Sequence, residues 1–191
     1  MRMHTSTQAL DALPPRERIL LAAHQLFYSE GIRATGVDKI IERASVSKVT
    51  FYRQYPSKDD LILAYLDYRH GMWMEWFTAS LAQEAAEGAS AADALLSTLE
   101  NWFGQPDFRG CAFLNAAAEL GSAEPAILEV VRSHKQDMAE VLDAFFSADR
   151  ASAGQVLELT IDGAIVHAQM GQPLDAVIAS VKASVEGILC R

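Results

Sequence analysis

The chain has few of the residues that form disulfides, thiolate metal sites or membrane spans. Its 191 residues include only two cysteines, Cys111 and Cys190, which lie far apart and form no C-x-x-C pair. This spacing argues against a disulfide framework and against a cysteine-based metal site. The chain also lacks an apolar run of about eighteen residues, and its first residues lack the apolar core of a signal peptide. We therefore expect a cytoplasmic protein that folds in a reducing compartment without metals or cofactors.

The chain also lacks the signatures of common catalytic sites. No glycine-rich phosphate loop follows a strand, and no G-x-S-x-G segment occurs. The five histidines show no metal-ligand spacing; they are His4, His24, His70, His134 and His167. We predict that the protein is not an enzyme and holds no metal ion. One catalytic alternative stays open, a nucleophile and base formed by Cys111 and His134.

Charge is unevenly distributed along the chain, whose formal net charge is -9. Residues 1–58 hold nine Lys or Arg against five Asp or Glu, whereas residues 59–191 hold seven against twenty. Within the first part, the segment SVSKVTFYRQYPSK at residues 45–58 has three cations and two tyrosines but no carboxylate. This distribution is typical of a basic front end that meets a polyanion, attached to an acidic body that does not. A basic face that meets only solvent is the alternative.

Hydrophobic periodicity predicts an all-α chain of about nine helices. Apolar residues recur three or four positions apart, and Gly or Pro separates the periodic segments. Pro14 and Pro15 are expected to begin the first helix, and Gly31 to end it. Thr35 and Ser57 each stand three residues before an Asp, which is a capping-box spacing. The later helices are expected at residues 37–44, 48–54, 58 onward, 89–103, 110–120, 125–148, 153–170 and 174–189.

Two short helices separated by only three residues predict a helix-turn-helix. The second of them, residues 48–54, carries the acid-free face, and a helix fits the major groove of B-DNA. Lys48 and Thr50 are expected to reach base edges or phosphates, and Phe51 to point inward against the first helix. The other outward-facing residues of this helix are Tyr52, Arg53 and Gln54.

The order of these residues resembles one protein family. The segment TGVDKIIERASVSKVTFYRQYPSKDDLI is similar to the DNA-binding domain of the TetR family of transcriptional repressors, whose pattern is T-x-x-x-I-A-x-x-A-G-V-S-K-G-T-L-Y-x-H-F-x-S-K-x-x-L. The chain departs from that pattern at Ser45 and Val49, which replace glycines, and at Gln54, which replaces a histidine. The resemblance covers about a third of the chain and implies an N-terminal three-helix head that binds specific DNA sequences.

The same resemblance assigns roles within the head. Thr35, Tyr52 and Lys58 resemble phosphate contacts, with Lys58 at the start of the fourth helix. Four residues resemble groove-facing positions, namely Lys48, Val49, Thr50 and Arg53. The complete set of predicted DNA-binding residues is Thr35, Ser47, Lys48, Val49, Thr50, Tyr52, Arg53, Gln54 and Lys58.

A second segment resembles one branch of the family. FRGCAFLNAAAEL, at residues 108–120, is similar to a motif of the form R-G-C-x-F-x-N-x-x-x-E. The resemblance implies a division into a DNA-binding head at residues 1–57 and a larger helical body at residues 58–191 for ligand binding and dimerisation. It identifies a branch of the family but no ligand.

Large rings and a few polar groups make the body a candidate ligand site. The predicted ligand-binding residues are Tyr65, Tyr68, Met72, Trp76, Trp102, Phe103, Cys111, Phe113, Asn115, Glu119, His134 and His167, with Trp73 beside them. Such a set is suited to line an apolar cavity with polar groups that orient the ligand. It favours a largely apolar or aromatic small molecule, and ordinary core packing is the alternative for each ring.

The last two helices carry apolar stripes that predict a homodimer built as a four-helix seam. The predicted interface residues are Leu157, Ile161, Ala164, Ile165, Val177, Ile178, Val181, Val185 and Ile188. Gly163 is expected to allow close approach of the helices. The alternative is that both stripes pack inside their own chain.

These observations together predict a homodimeric repressor that binds palindromic operator DNA and is released by a small-molecule inducer. No membrane partner is expected. Two alternatives stay open. The first is thiol-based sensing of oxidants or electrophiles through Cys111, whose thiolate a helix N-terminus and Arg109 would favour. The second is a helical interaction module that binds no DNA.

Overall fold

Nine α-helices and no strand form the part of the chain described by the computed structural model, residues 13–121, 124–146 and 153–189. The helices are α1 Pro15–Glu30, α2 Val37–Arg43, α3 Lys48–Gln54, α4 Lys58–Ala86, α5 Ala91–Phe103, α6 Ala112–Leu120, α7 Pro125–Phe145, α8 Gly154–Gln169 and α9 Leu174–Leu189. The predicted all-α class is confirmed. Each helix lies within a few residues of its predicted position. Cys190 and His4 lie outside the described residues.

The chain divides into two compact units by its internal contacts. The first unit contains the chain up to His70 together with Ala112–Val130, and the second contains Gly71–Cys111 together with the chain from Val131. This division differs from the predicted boundary after residue 57, because the first part of α4 and all of α6 belong to the unit of the head. The functional division of the chain stays a prediction.

The head, defined as α1 to α3, forms around one buried side chain from each helix. α1 contacts both α2 and α3, and these two helices contact each other. Ile19, Ile40 and Phe51 are fully buried, and burial of each contributes about 1.5–3 kcal/mol to folding. Between α2 and α3, Ser45 has a φ of +50°, a left-handed conformation that glycine adopts most easily. The prediction of a helix-turn-helix is confirmed.

Most of the predicted helix ends in the head are confirmed. Pro15 is the first residue of α1, and Gly31, with a φ of +95°, follows its last residue. The side chain of Ser47 caps α3. Ser57 and Asp60 cap α4 reciprocally, because the Asp60 carboxylate accepts the Ser57 N–H at 3.0 Å and Ser57 Oγ accepts the Asp60 N–H at 3.0 Å.

The predicted capping box at Thr35 is wrong. Gly36 is the N-cap of α2 and makes no side-chain cap. Thr35 is fully buried, and its Oγ1 donates a hydrogen bond to the carbonyl of Gly31 at 2.7 Å. The hydroxyl therefore closes the turn that follows α1 instead of beginning α2.

The second unit is built on apolar stripes of α5, α8 and α9. α9 packs against both α8 and α5. Val177, Val181 and Val185 recur every four residues on α9 and are at most 4% exposed, as expected for one buried face of a helix. Leu157 and Ile161 of α8 are fully buried. Across the described residues, no helix has the length and apolar character needed to cross a membrane.

Candidate nucleic-acid interface

The outward face of α3 carries cationic, aromatic and apolar side chains and no carboxylate. Lys48 and Arg53 are exposed, Tyr52 is 43% exposed and Val49 is 78% exposed. Cations and hydroxyls of this kind can donate to phosphates and base edges, and an apolar side chain can contact a thymine methyl group. The face therefore has the groups that both kinds of DNA contact require.

Two hydroxyl groups stand at the start of α3. Ser47 Oγ accepts the backbone N–H of Thr50 at 3.1 Å and lies 2.9 Å from Thr50 Oγ1. Each hydroxyl has capacity for a further hydrogen bond, since a hydroxyl carries one donor and two lone pairs. Ser47 is exposed and Thr50 is half-buried.

The inward face of α3 is fixed to α1 by three contacts. Phe51 is fully buried, which confirms the predicted inward orientation. Arg16 Nη1 donates to the carbonyl of Gln54 at 2.9 Å, and its guanidinium lies 4.5 Å from the centroid of the buried Tyr55 ring. Burial raises the pKa of Tyr55, and the charge of Arg16 opposes that shift. Arg16 and Tyr55 were not among the predicted residues, although they lie in the first turn of α1 and at the end of α3, where a helix-turn-helix needs such anchors.

One of the predicted DNA contacts is partly engaged within the chain. Lys48 Nζ lies 3.4 Å from Asp38 Oδ1, and the two side chains are 65% and 86% exposed. An ion pair at this exposure contributes about 0–1 kcal/mol. Lys48 can therefore leave Asp38 for a phosphate or a base at little cost.

The predicted contact between Thr35 and a phosphate is wrong. The side chain is 0% exposed, and its hydroxyl donates to Gly31. A buried side chain of this kind cannot reach DNA. In this chain the hydroxyl closes the turn after α1.

Lys58 lies at the start of α4, and its ammonium group is partly engaged within the chain. Its Nζ donates to the carbonyl of Ile32 at 2.6 Å and lies 5.8 Å from the centroid of the Phe27 ring. Burial lowers the pKa of Lys58, while the charges of Glu119 and Asp59 act in the opposite direction. In this arrangement Lys58 supports the turn between α1 and α2.

The second unit contains an aromatic cluster. Neighbouring ring centroids in it lie 4.6–6.3 Å apart. The members of the aromatic cluster are Trp73, Trp76, Phe77, Trp102, Phe103, Phe108 and His134. The indole N–H of Trp73 is buried and finds no hydrogen-bond acceptor within the described part of the chain.

Two predicted ligand residues belong to a different group of rings in the first unit. Tyr65 is buried against Phe27, with centroids 5.3 Å apart, and Tyr68 lies edge-on to His24 at 5.3 Å. Burial, and then the charge of Arg69, lowers the pKa of His24 to about 4, so this imidazole is neutral near pH 7. These rings form the core between α1 and α4.

The predicted polar groups of the ligand site are divided between the two units. His134 is 2% exposed and lies edge-on to Trp73 in the aromatic cluster. His167 is exposed on α8, and Asn115 is half-buried on α6. Glu119 is bonded to the backbone of the turn after α1.

The remaining predicted ligand residues are distributed over both units. Met72 is half-buried on α4 in the second unit, and Phe113 is buried on α6 in the first. Cys111 is only 4% exposed. An oxidant or electrophile would reach this thiol only if the surrounding structure opened.

A buried ionic cluster of the second unit was missed. Lys135 Nζ contacts the Asp162 carboxylate and lies 3.3 Å from Glu158 Oε1. Burial acts to lower the pKa of Lys135, but its electrostatic interactions with Cys111, Asp162 and Glu158, together with its hydrogen bond to Asp162, outweigh burial and the pKa is raised. Burial and the neighbouring Asp162 raise the pKa of Glu158 to about 7. The sequence feature that could have revealed this cluster is the pair of carboxylates, four residues apart, on an apolar face of α8.

The side chains predicted to form the dimer seam are mostly buried in their own chain. Seven of them are at most 6% exposed, namely Leu157, Ile161, Ala164, Ile165, Val177, Val181 and Val185. Ile178 and Ile188 are half-buried. A side chain that is already buried adds little apolar area to an interface, so for these seven residues the burial favours the alternative, packing inside their own chain.

A different stripe of α8 faces outward and is apolar. It consists of Val156, Leu159, Val166 and Met170, which are 43–64% exposed, with Gly163 at its centre. A Cβ added to Gly163 would meet no atom within 4 Å. Beside it, α8 and α9 enclose an open groove of about 220 Å³ lined by small and polar residues that include Thr160, Ser180 and Ser184. We name these residues and the groove the outer α8 face.

No metal centre is evident in residues 13–121, 124–146 and 153–189. No group of three or more His, Cys, Asp or Glu side chains within them has the arrangement of a metal site.

Comparison with known sequences gives a match in the head. Residues 19–65 match the family model of bacterial regulatory proteins, tetR family. The transcriptional activator FasR of Mycolicibacterium smegmatis is 44% identical over 55 residues, which are 29% of this chain and 25% of that protein. The chain thus matches about a quarter of the length of this curated relative.

Comparison with solved structures extends over nearly the whole chain. A TetR-family transcriptional regulator from Streptomyces coelicolor is 33% identical, with coverage of 92% of this chain and 94% of that one and a TM-score of 0.75. A putative regulator of the same kind from Streptomyces avermitilis is 28% identical, with coverage of 92% and 98% and a TM-score of 0.72.

Proposed function

Because the chain belongs to the TetR family of transcriptional regulators, we propose that it is a repressor that a small molecule releases from its operator. The observation that carries this proposal is the outward face of α3, which is exposed, cationic and free of carboxylates. Its groups suit the major groove, and Phe51 and Tyr55 hold the helix in place from behind.

We assign the residues of this face to two kinds of contact. Tyr52 and Ser47 bind phosphates, which position the head on the duplex. Lys48, Thr50 and Arg53 meet base edges or the phosphates beside them. Val49 contacts a thymine methyl group, a role that fits its 78% exposure. Gln54 lies at the end of α3, where its carbonyl is held by Arg16.

Two copies of the chain form a dimer through the outer α8 face, and this dimer binds one operator. The stripe of Val156, Leu159, Val166 and Met170 is exposed in the single chain and would be covered by the same stripe of a second copy. Gly163 and the small residues of the groove allow the helices to approach closely. A twofold dimer carries two heads, and therefore reads a palindrome with half-sites one or more helical turns apart.

The inducer binds against the aromatic cluster of the second unit. Its closely spaced rings, of which Trp73 and Phe77 are stacked and Trp73 and Trp102 are tilted, suit a flat, largely apolar compound. The buried indole N–H of Trp73 offers a hydrogen bond that no acceptor among the described residues takes up, and the neighbouring His134 offers a second polar group. Such a compound releases DNA only if it binds the DNA-free arrangement more tightly than the DNA-bound one.

Selection from random duplexes tests DNA recognition directly. The full-length protein is incubated with a pool of random duplexes, and bound molecules are amplified and sequenced over several rounds. We expect enrichment of one palindromic sequence whose binding weakens steeply with salt, because phosphate contacts release counterions. A pool that shows no enrichment would contradict sequence-specific binding.

A thermal-shift screen of aromatic compounds tests the inducer. Compounds that raise the melting temperature are then added to the complex of protein and selected operator. We expect some of them to weaken operator binding by about 5- to 150-fold, and Trp102→Leu to reduce their effect while operator binding in their absence is kept. Compounds that stabilise the protein but leave operator affinity unchanged would argue for a constitutive regulator.

A further inference from the structure

The turn between α1 and α2, residues 31–36, is held by two charged side chains from other helices. Glu119 of α6 accepts the backbone N–H of Ile32 with Oε1 at 3.2 Å and that of Arg33 with Oε2 at 2.7 Å. Lys58 of α4 donates to the carbonyl of Ile32 at 2.6 Å. In the same short backbone segment, a carboxylate therefore accepts from two N–H groups and an ammonium group donates to a carbonyl.

The local backbone is shaped to admit the carboxylate. Gly31 has a φ of +95°, and a Cβ built on it would lie 3.3 Å from Glu119 Oε1 and 3.4 Å from Oε2. The next residue, Ile32, is 2% exposed, so its side chain anchors the turn at the first of the two bonded amides. The glycine thus allows Glu119 to reach amides that begin the path into α2.

The core of the head is formed by side chains other than Glu119. Ile19, Ile40 and Phe51 already pack α1, α2 and α3 together. Glu119 lies 86 residues from Arg33 along the chain and reaches the turn from α6. Its bonds therefore fix the path from α1 into α2 and link that path to α6. The helix α6 begins directly after Cys111, which is the last residue of the segment Gly71–Cys111 of the second unit.

We propose that Glu119 is a positioning residue for DNA recognition, because its carboxylate fixes the turn at residues 31–36 and so sets the angle at which α2 and α3 meet the operator. This inference rests on the proposed function. It assigns to α6 the task of holding the head in the arrangement that binds DNA, and it replaces the predicted role of Glu119 as a ligand group.

The direction in which operator affinity changes when the charge of Glu119 is removed separates a positioning role from simple electrostatic repulsion. Removal of a negative charge near bound DNA strengthens binding, because DNA is a polyanion. Glu119→Gln nevertheless should weaken operator binding, by about 5- to 150-fold. A glutamine amide has one neutral oxygen and an NH2 group that only donates, so it cannot accept both backbone N–H groups as the two carboxylate oxygens do. Asp59→Asn is the matched control, since Asp59 also acts on the charge of Lys58 and is exposed. It should bind the operator as tightly as the unchanged protein or more tightly.

Hydrogen exchange provides a second readout at the turn itself. In Glu119→Gln the amides of Ile32 and Arg33 should exchange faster, whereas the amide of Ala44, which bonds to the Ile40 carbonyl in α2, should be unchanged. A merely structural role would instead accelerate exchange throughout the head. If Glu119→Gln binds the selected operator as tightly as Asp59→Asn, or if the turn amides keep their protection, the inference is overturned. Failure of the unchanged protein to bind any duplex would instead overturn the proposed function.

Discussion

The double substitution Leu159→Asp with Met170→Asp is expected to convert the protein from a dimer to a monomer and to weaken operator binding by about 10²- to 10⁴-fold. The two side chains are 64% and 63% exposed in the single chain, so the substitutions leave its own core intact. Four carboxylates would meet across the twofold axis, where like charges repel. Loss of the second head removes the gain in effective concentration that two linked binding sites give.

A pair of glycine substitutions provides the matched control for this surface. Gly163 and Gly71 both lie inside helices, and a Cβ added to either would meet no atom within 4 Å. Gly163→Arg should break the dimer, while Gly71→Arg should keep it, as measured by sedimentation at micromolar concentration. If both Gly163→Arg and the double aspartate variant remain dimers, the outer α8 face is not the dimer contact.

Lys135→Met is expected to lower the free energy of unfolding by about 3–5 kcal/mol. The side chains of Lys135, Glu158 and Asp162 are 14%, 8% and 20% exposed, so removal of the cation leaves two carboxylates in a mostly dry site. Urea denaturation measures the change. The control is the triple variant with Glu158→Leu and Asp162→Asn added, which should recover most of the loss because no buried charge is left unpaired. Equal stability of Lys135→Met and the unchanged protein would contradict the assigned role of the cluster.

The loss in Lys135→Met should also depend on pH. The pKa of Glu158 is raised from 4.5 to about 7 in the folded chain. The folded state therefore binds more protons than the unfolded state between those values, and the stability from this group is lost as pH rises through about 7. Without Lys135 the carboxylate is harder still to ionise. The difference in the free energy of unfolding between Lys135→Met and the unchanged protein should then shrink as pH falls from about 8 to about 5.

The sequence predicted the fold well because helix signals are local. Periodic apolar residues, Pro15 at the start of α1, Gly31 at its end and Ser47 before α3 act within one or two turns, and each is found where it was expected. The inward side of α3 was predictable for the same reason. Phe51 is the large apolar residue among polar neighbours, and it is fully buried.

The choice between two apolar stripes on α8 was not predictable from the sequence. The helix is apolar around most of its circumference, so Leu157 and Ile161 form one stripe and Val156 and Leu159 another. Only the packing of α9 against α8 decides which stripe is buried. Glu119 was misassigned for a related reason, since its partners lie 86 and 87 residues away and are backbone amides, which no side-chain pattern reveals.

The most direct test of the central claim is the affinity of four proteins for the selected operator over a range of salt concentrations. The proteins are the unchanged chain, Lys48→Ala, Tyr52→Ala and the control Lys182→Ala, whose exposed lysine lies on α9 outside the groove-lining residues. If α3 reads the operator, Lys48→Ala and Tyr52→Ala each lose about 1–3 kcal/mol of binding free energy. Lys48→Ala also flattens the salt slope by about one unit if its ammonium meets a phosphate, whereas Tyr52→Ala keeps the slope, because a neutral hydroxyl releases no counterion. Lys182→Ala should match the unchanged chain. Equal affinities and slopes for all four proteins would contradict the account.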